Sequence, residues 1–307
     1  MTPYAYSARD PSSAGPISHP ADGPVTGLLG GPESAAEHDP PDEPLMPRAA
    51  ARPSIARAYD CLLGGKDHFP ADRELAERLV ARYPGVRQMA RHNRRFLVRA
   101  LDYVLAQAIS QYADLGAGLP TSPAVHEIVR RHDINGKVVY VDNDLVVINH
   151  LRALAASGDD HIDAVAGDLV KPAAVMDAVQ ATGLIDLDKP VCLIAAMVLH
   201  FLDAPTAREV TAAYVSELAP GSHVIITVGC GEPATGLNTG AADQITRTYN
   251  AAPVFNHTPA DVASFFTGLN LIKPGITDAR AWMPGWWTPA PFAERPGQVL
   301  AGIGVKP

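Results

Sequence analysis

Cysteine is scarce in this chain. Only Cys61, Cys192 and Cys230 occur in 307 residues, with no short spacing among them. That leaves no disulfide framework and no thiolate zinc site to expect. Apolar runs of membrane-spanning length are missing too, so a soluble, cytoplasmic protein without a membrane partner is expected. Basic residues are outnumbered, 25 against 33 acidic, for a net charge of −8. A broad electrostatic footprint for nucleic acid is therefore lacking. Seven acids against two arginines in the first fifty residues supply five of those eight charges, and the same stretch holds ten of the 28 prolines. Without apolar periodicity this segment is expected to be a disordered, Pro-rich acidic tail over 1–50. It also lacks the basic start and apolar core of a signal peptide.

What is present begins at Tyr112-Ala-Asp-Leu-Gly-Ala-Gly-Leu-Pro-Thr121, a short strand running into a glycine turn. Gly116 and Gly118, flanking Ala117, let the backbone bend sharply and approach a ligand. Such turns lie at the C-terminal edge of parallel sheets, where open α/β folds bind nucleotide-like molecules. The acidic-x-Gly-x-Gly order resembles the first motif of class I S-adenosylmethionine methyltransferases. Lys137-Val-Val-Tyr-Val-Asp142 reads as a second strand ending in a carboxylate, followed by Asn143. Asp142 lies 24 residues after Gly118, near the offset of about 20 at which an acidic residue meets a ribose in nucleotide-binding βαβ units. Apolar residues at 124, 125, 128 and 129 predict a helix between the two strands. A third strand, Asp163-Ala-Val-Ala-Gly-Asp168, also ends in Asp.

Asp142 is the candidate for the ribose hydroxyls. Asp168, with the Leu169 amide, is the candidate for the adenine edge, and Asp114 for the glycine loop or the amino group of the methionine tail. Each also has a plain reading, since Asp at a strand end often caps the next helix. A nicotinamide enzyme competes, but its fingerprint requires a third glycine where Thr121 stands.

Further strands are predicted at Pro190–His200, continuously apolar as for a strand buried on both faces, at Val224–Val228, at Leu269–Ile276 and at Val299–Val305. Helices are predicted over Ala71–Arg82, over the segment from Met89 to Val104, and over Glu209–Leu218. Together these give an α/β fold with a seven-stranded, mostly parallel sheet and helices on both faces, its last pair antiparallel.

Four segments then carry a closer resemblance: Ala56-Arg-Ala-Tyr-Asp-Cys-Leu-Leu-Gly-Gly-Lys-Asp-His-Phe69, Arg91-His-Asn-Arg-Arg-Phe96, Asp114-Leu-Gly-Ala-Gly-Leu-Pro-Thr121 and Tyr140-Val-Asp-Asn-Asp144. Over about 52–307, including Leu199-His-Phe201 and Gly302-Ile-Gly-Val305, the chain resembles the S-adenosyl methyltransferase family formerly catalogued as a domain of unknown function. The resemblance implies a Rossmann-like fold, S-adenosylmethionine as cofactor and methyl transfer, and brings no acceptor with it. His68 stands where that family has Asn. The domain expected over 51–307 divides into an N-terminal helical segment, 51–108, and a Rossmann-like core, 109–307.

Gly64-Gly65-Lys66 is no phosphate loop, because Asp67 replaces the Ser or Thr that must follow the lysine. Gly65 and Lys66 are instead candidates for a lid over the cofactor, or for a plain interhelical turn. Arg87, Arg91, Arg94, Arg95 and Arg99 share one helix side: a solvated face, or a source of a guanidinium (Arg91 or Arg94) for the methionine carboxylate. Asn93, on the other side, is placed to brace the cofactor loop. His200, at the end of the fourth strand, is the candidate general base, against the alternative of a histidine satisfied by its surroundings. Tyr249, Phe255, Asn256 and His257 are candidates for the acceptor pocket. Trp282, Trp286 and Trp287 either cover that pocket or pack the domain edge. No Asn-Pro-Pro-Tyr-like motif follows the fourth strand, so a small-molecule acceptor is expected. A cofactor-binding regulator without turnover and an NAD-linked oxidoreductase are the alternatives.

Overall fold

The computed structural model describes residues 52–155, 159–230, 253–285 and 298–307. The segment 1–50, Tyr249, Trp286 and Trp287 lie outside them. Three helices come first: α1 (Ile55–Leu63), α2 (Pro70–Arg82) and α3 (Val86–Leu105). The alternating part follows as β1 (Gln111–Leu115), α4 (Val125–His132), β2 (Lys137–Asp142), α5 (Leu145–Ala155), β3 (Ile162–Ala166), α6 (Pro172–Ala181) and β4 (Cys192–Ala196). A 3₁₀ turn (Leu199–Phe201), α7 (Ala204–Glu217), β5 (His223–Cys230) and α8 (Pro259–Ser264) come next. Two short strands, β6 (Asn270–Leu271) and β7 (Thr277–Asp278), and the long β8 (Gln298–Val305) close the chain.

The strand order is β3-β2-β1-β4-β5-β8-β6, with β7 also paired to β8. The first five strands run parallel, and β8 is antiparallel to β5, β6 and β7. Side chains alternate across the sheet, so each strand feeds two cores. Tyr112, Val138, Tyr140, Ile194 and Ile225 face α3, α4 and α5, whereas Ala113, Val139, Val141, Leu193 and Ile226 face α6 and α7. This double burial explains why β1, β2, β4 and β5 read as unbroken apolar runs.

The strand expected over Leu269–Ile276 is two pairs of residues instead. Lys273-Pro-Gly275 turns the chain between them, with the Gly275 amide donating to Ile272 O (2.8 Å) and Gly275 at φ +86°. On β8, a Cβ at Gly304 would lie 2.7 Å from Leu269 Cβ, and one at Gly302 3.0 Å from Phe266 Cζ. The closing Gly-Ile-Gly motif thus serves packing.

Trp282 is fully buried, edge-on to Phe96 at 5.2 Å between ring centroids, so it is a core residue and covers no pocket. No helix among the described residues is long and apolar enough to cross a membrane.

Candidate functional site

A parallel sheet points its strand ends, and the loops beyond them, to one edge. Here β1, β2, β3 and β4 end around a cleft of about 560 Å³. At its floor, Gly116 and Gly118 both adopt φ +63°, a region that costs an L side chain about 1–2 kcal/mol. At Gly116 a Cβ would also lie 2.4 Å from Val198 Cγ2. The Gly116 and Ala117 amides donate to Val141 O (2.8 and 3.1 Å), tying the loop to β2.

Asp142 ends β2. Its Oδ2 accepts the Gly118 amide and its Oδ1 the Asp144 amide, both at 2.9 Å. The Asn143 amide also donates to this carboxylate, which keeps lone-pair capacity for about one more donor. Burial is the main cause raising its pKa, and the amide bonds oppose it. Asp114 is buried as well, and no described protein group donates to its carboxyl. Burial pushes its pKa up to about 7, with nearby Arg94 pulling down and Asp142 pushing up.

Asp168 lies on the exposed loop after β3, its Oδ1 accepting the Val170 amide at 3.2 Å. Leu169 O accepts the Tyr214 hydroxyl at 3.1 Å, while the Leu169 amide meets no acceptor among the described residues. Asp114, Gly116, Ala117, Gly118, Asp142, Asn143, Asp168, Leu169 and His200 all line this one cleft.

Gly65, Lys66 and Arg91 do not line it. Gly64 ends α1 in the left-handed region (φ +87°), and a Cβ on Gly65 would fall 1.8 Å from Asp60 Oδ1. Asp60 Oδ2 accepts the Asp67 amide and the His68 ring nitrogen Nδ1, both at 3.1 Å. The Leu-Leu-Gly-Gly-Lys-Asp-His motif is therefore a clasp around a buried carboxylate, and His68 is part of it. A second buried carboxylate, Asp72, accepts from Ser54 N (2.7 Å), Arg57 Nε (2.7 Å) and Phe69 N (2.8 Å). Arg57 also approaches Asp144 at 3.6 Å, linking α1 to the loop after β2.

Arg91 is exposed. Arg94 is the arginine at the cleft, donating to Thr121 O (3.0 Å) and to Pro123 O, and so pinning the chain beyond the glycine turn. The arginine face is not simply solvated, since Arg99 donates to Trp282 O (3.0 Å) and Ala279 O (2.5 Å).

Asn93 braces a different element from the one expected. Its Nδ2 donates to Tyr59 Oη (2.9 Å), and its Oδ1 accepts Thr227 Oγ1 (2.7 Å), which in turn accepts the Met197 amide (2.9 Å). This chain connects α1, α3 and β5 with the turn after β4, where Met197 is held at φ +58°. Tyr59 lies within the Ala56–Phe69 motif, but no role was expected of it, and Met197 appeared only as part of an apolar run.

His200 sits in that turn. Its Nδ1 is buried without a partner, and burial, helped by His257, pushes its pKa down to about 4. A general base of the His type needs an acceptor on Nδ1 to hold the tautomer and stabilise the imidazolium. None is present among the described residues, so the geometry does not support the base role for His200. With its pKa lowered by burial, His200 is neutral at physiological pH.

The cleft shares Ile55, Tyr59, Met197, His200 and Phe201 with an adjoining apolar pocket of about 150 Å³ under α1–α3. Phe255 and Asn256 line that pocket. His257 does not: it is buried, 3.3 Å from Leu199 O and edge-on to Phe265. Among the described residues no cluster of three or more His, Cys, Asp or Glu side chains is arranged to hold a metal ion.

A sequence model for the family described as S-adenosyl methyltransferase matches residues 47–307. No curated protein sequence matches the chain. Among solved structures, a candidate methyltransferase from Thermobifida fusca YX is 33% identical, with a TM-score of 0.76 over 86% of this chain and 99% of that one. A DUF574 family protein from Streptomyces avermitilis MA-4680 is 30% identical, with a TM-score of 0.73 over 84% of this chain and 99% of that one.

Proposed function

The chain belongs to the S-adenosyl methyltransferase family, whose cofactor is S-adenosylmethionine, and from that premise we propose that it methylates a small molecule seated in the apolar pocket beside the cleft. The observation that carries this reading is the pair of buried carboxylates, Asp142 bonded to the glycine turn and Asp114 without a described protein donor, in a cleft that shares five lining residues with that pocket. The residues present suit the cofactor. Asp142, held by three backbone amides, keeps acceptor capacity for a ribose hydroxyl. Asp114, buried with no protein donor, suits an ammonium. The Leu169 amide and Asp168 offer a donor and an acceptor for the adenine edge. About 560 Å³ lies in the range of ligand clefts.

When bound, the cofactor supplies a methyl carbon on a sulfonium, whose bond to sulfur breaks toward sulfur as an acceptor lone pair forms the new bond. The protein's part is chiefly positioning, which contributes several kcal/mol when reacting atoms are held about 3–3.5 Å apart and aligned. The Asn93–Thr227 relay fixes Met197 and Tyr59 where cleft and pocket meet. The three helices supply one apolar wall of the pocket. An acceptor that is already nucleophilic, or that loses its proton to solvent, needs no base here, in keeping with the lowered pKa of His200.

Two features favour a small molecule over a nucleic acid. Residues 51–307 carry only three of the eight net negative charges and no basic excess, and the described lining of the pocket beneath α1–α3 carries no basic side chain for a phosphate backbone. The test is formation of S-adenosylhomocysteine from S-adenosylmethionine by the full-length protein with fractionated small-molecule extract. Product that tracks a small-molecule fraction supports the reading. Cofactor binding with no product from any fraction would leave a cofactor-binding regulator.

A further inference from the structure

The walls of the apolar pocket are more selective than the reading above requires. Among the described residues, its lining, from α1, α2, α3, the turn after β4, β5 and residues 254–256, contains no Asp, Glu, Lys or Arg side chain. The one imidazole among those described residues, His200, stays neutral at physiological pH, with a pKa pushed down to about 4. An anionic or cationic group placed inside would find no counter-charge among the described lining residues, and burying an unpaired charge is strongly unfavourable. What the pocket does offer is aromatic and sulfur surface: Tyr59, Tyr83, Phe201 and Phe255, with the thioethers of Met89 and Met197. Thioether sulfur and ring edges favour an aromatic guest. The volume is about 150 Å³, the size of an engineered apolar cavity that takes up benzene.

We infer that the methyl acceptor carries an uncharged, single-ring aromatic group that occupies this pocket, with its polar end at the mouth beside Tyr59, Met197 and His200. The inference rests on the methyltransferase reading and narrows its acceptor class.

Gly229, on β5 at the pocket wall, supplies the test. A Cβ there would approach only the flexible ends of Met89 (3.3 Å) and Met197 (3.6 Å), and a β-branched side chain suits a strand. Gly229→Val therefore fills the pocket, and the one cleft residue its Cβ approaches is Met197, at the flexible end of the side chain. Val86→Trp fills it from the start of α3 and serves as a second variant should the first fold poorly. Using full-length protein, S-adenosylhomocysteine binding is measured first by calorimetry. With that ligand saturating, ligand-observed NMR then compares 4-ethylphenol, 4-ethylbenzoate and 4-ethylbenzylamine. The expected result is 4-ethylphenol binding at least tenfold tighter than both charged analogues, lost by tenfold or more in a filled variant that keeps its S-adenosylhomocysteine affinity within twofold. Normal S-adenosylhomocysteine binding with equal or tighter binding of a charged analogue, or with 4-ethylphenol indifferent to both filling variants, would overturn the inference alone. Failure of the folded protein to bind S-adenosylhomocysteine would overturn the methyltransferase reading beneath it.

Discussion

Replacing Asp72 by Asn removes one negative charge from a fully buried site while keeping the side chain's shape. The native carboxylate takes three donors, two of them (Arg57 Nε and Phe69 N) on Oδ2 and one (Ser54 N) on Oδ1. An amide oxygen serves one side only, and the amide nitrogen then faces N–H groups with N–H of its own. Arg57, itself 2% exposed, loses its closest counter-ion. Breaking one side of a buried ion pair costs about 3–5 kcal/mol. At about 2–4 °C per kcal/mol for a domain of this size, thermal unfolding followed by circular dichroism should begin about 6–20 °C lower. The double variant Arg57→Met with Asp72→Leu removes both charges and should recover only the share due to the stranded guanidinium, since the Ser54 and Phe69 amides still lose their acceptor. If α1 and α2 detach before the core melts, limited proteolysis between residues 52 and 85 will report it at a temperature where the native protein resists. Unchanged melting together with unchanged protease resistance would refute the reasoning, because the charge would not be buried as described.

Gly116→Ala should cost about 2–5 kcal/mol in stability, from the left-handed backbone and the contact with Val198; adding Val198→Ala should recover only the steric share in the same melts. Asp114 has a folded pKa of about 7 against an ordinary 3.8, so the native state holds a proton that the unfolded chain releases. Stability should therefore fall as pH rises from about 4 to 7, and urea melts at pH 5 and 7.5 should show a smaller fall in Asp114→Asn. Arg94→Met removes two charge-assisted bonds to the loop beyond the glycine turn, each contributing about 1.5–3 kcal/mol, and should weaken S-adenosylmethionine binding at least tenfold by calorimetry. If Arg94→Met binds as tightly as wild type, the loop does not depend on that guanidinium.

Much of the fold was legible because double burial writes itself as apolar runs. Lys137–Asp142 matches β2 residue for residue, and β1, β3, β4 and β5 fall within a few residues of their expected places. The stretch from Leu269 to Ile276 misleads because its apolar ends flank Lys273-Pro-Gly275, and proline and glycine turn the chain there rather than extend it. Within the site, strand-end residues were the legible ones, since sheet topology alone brings Asp114, Asp142 and Asp168 to one edge.

Side-chain direction was less legible. Arg91 and Arg94 stand about 60° apart on a helical wheel, too close for periodicity to say which one meets the loop. Gly65 has the look of a ligand loop but makes room for the carboxylate of Asp60. The apolar pocket had only Phe255 and Asn256 as signals, because its walls come from α1, α2, α3, β5 and residues 254–256, segments without a shared motif. His200 was visible, but its unpartnered Nδ1 depends on neighbours distant in sequence.

The central claim is that Asp142 and the glycine turn form an S-adenosylmethionine site. Calorimetric titration of the full-length protein with S-adenosylmethionine, beside Asp142→Ala, tests it most directly. The account predicts micromolar binding to the wild type and a loss of at least tenfold in the variant. Folded wild-type protein that does not bind, or a folded variant that binds equally well, would contradict it.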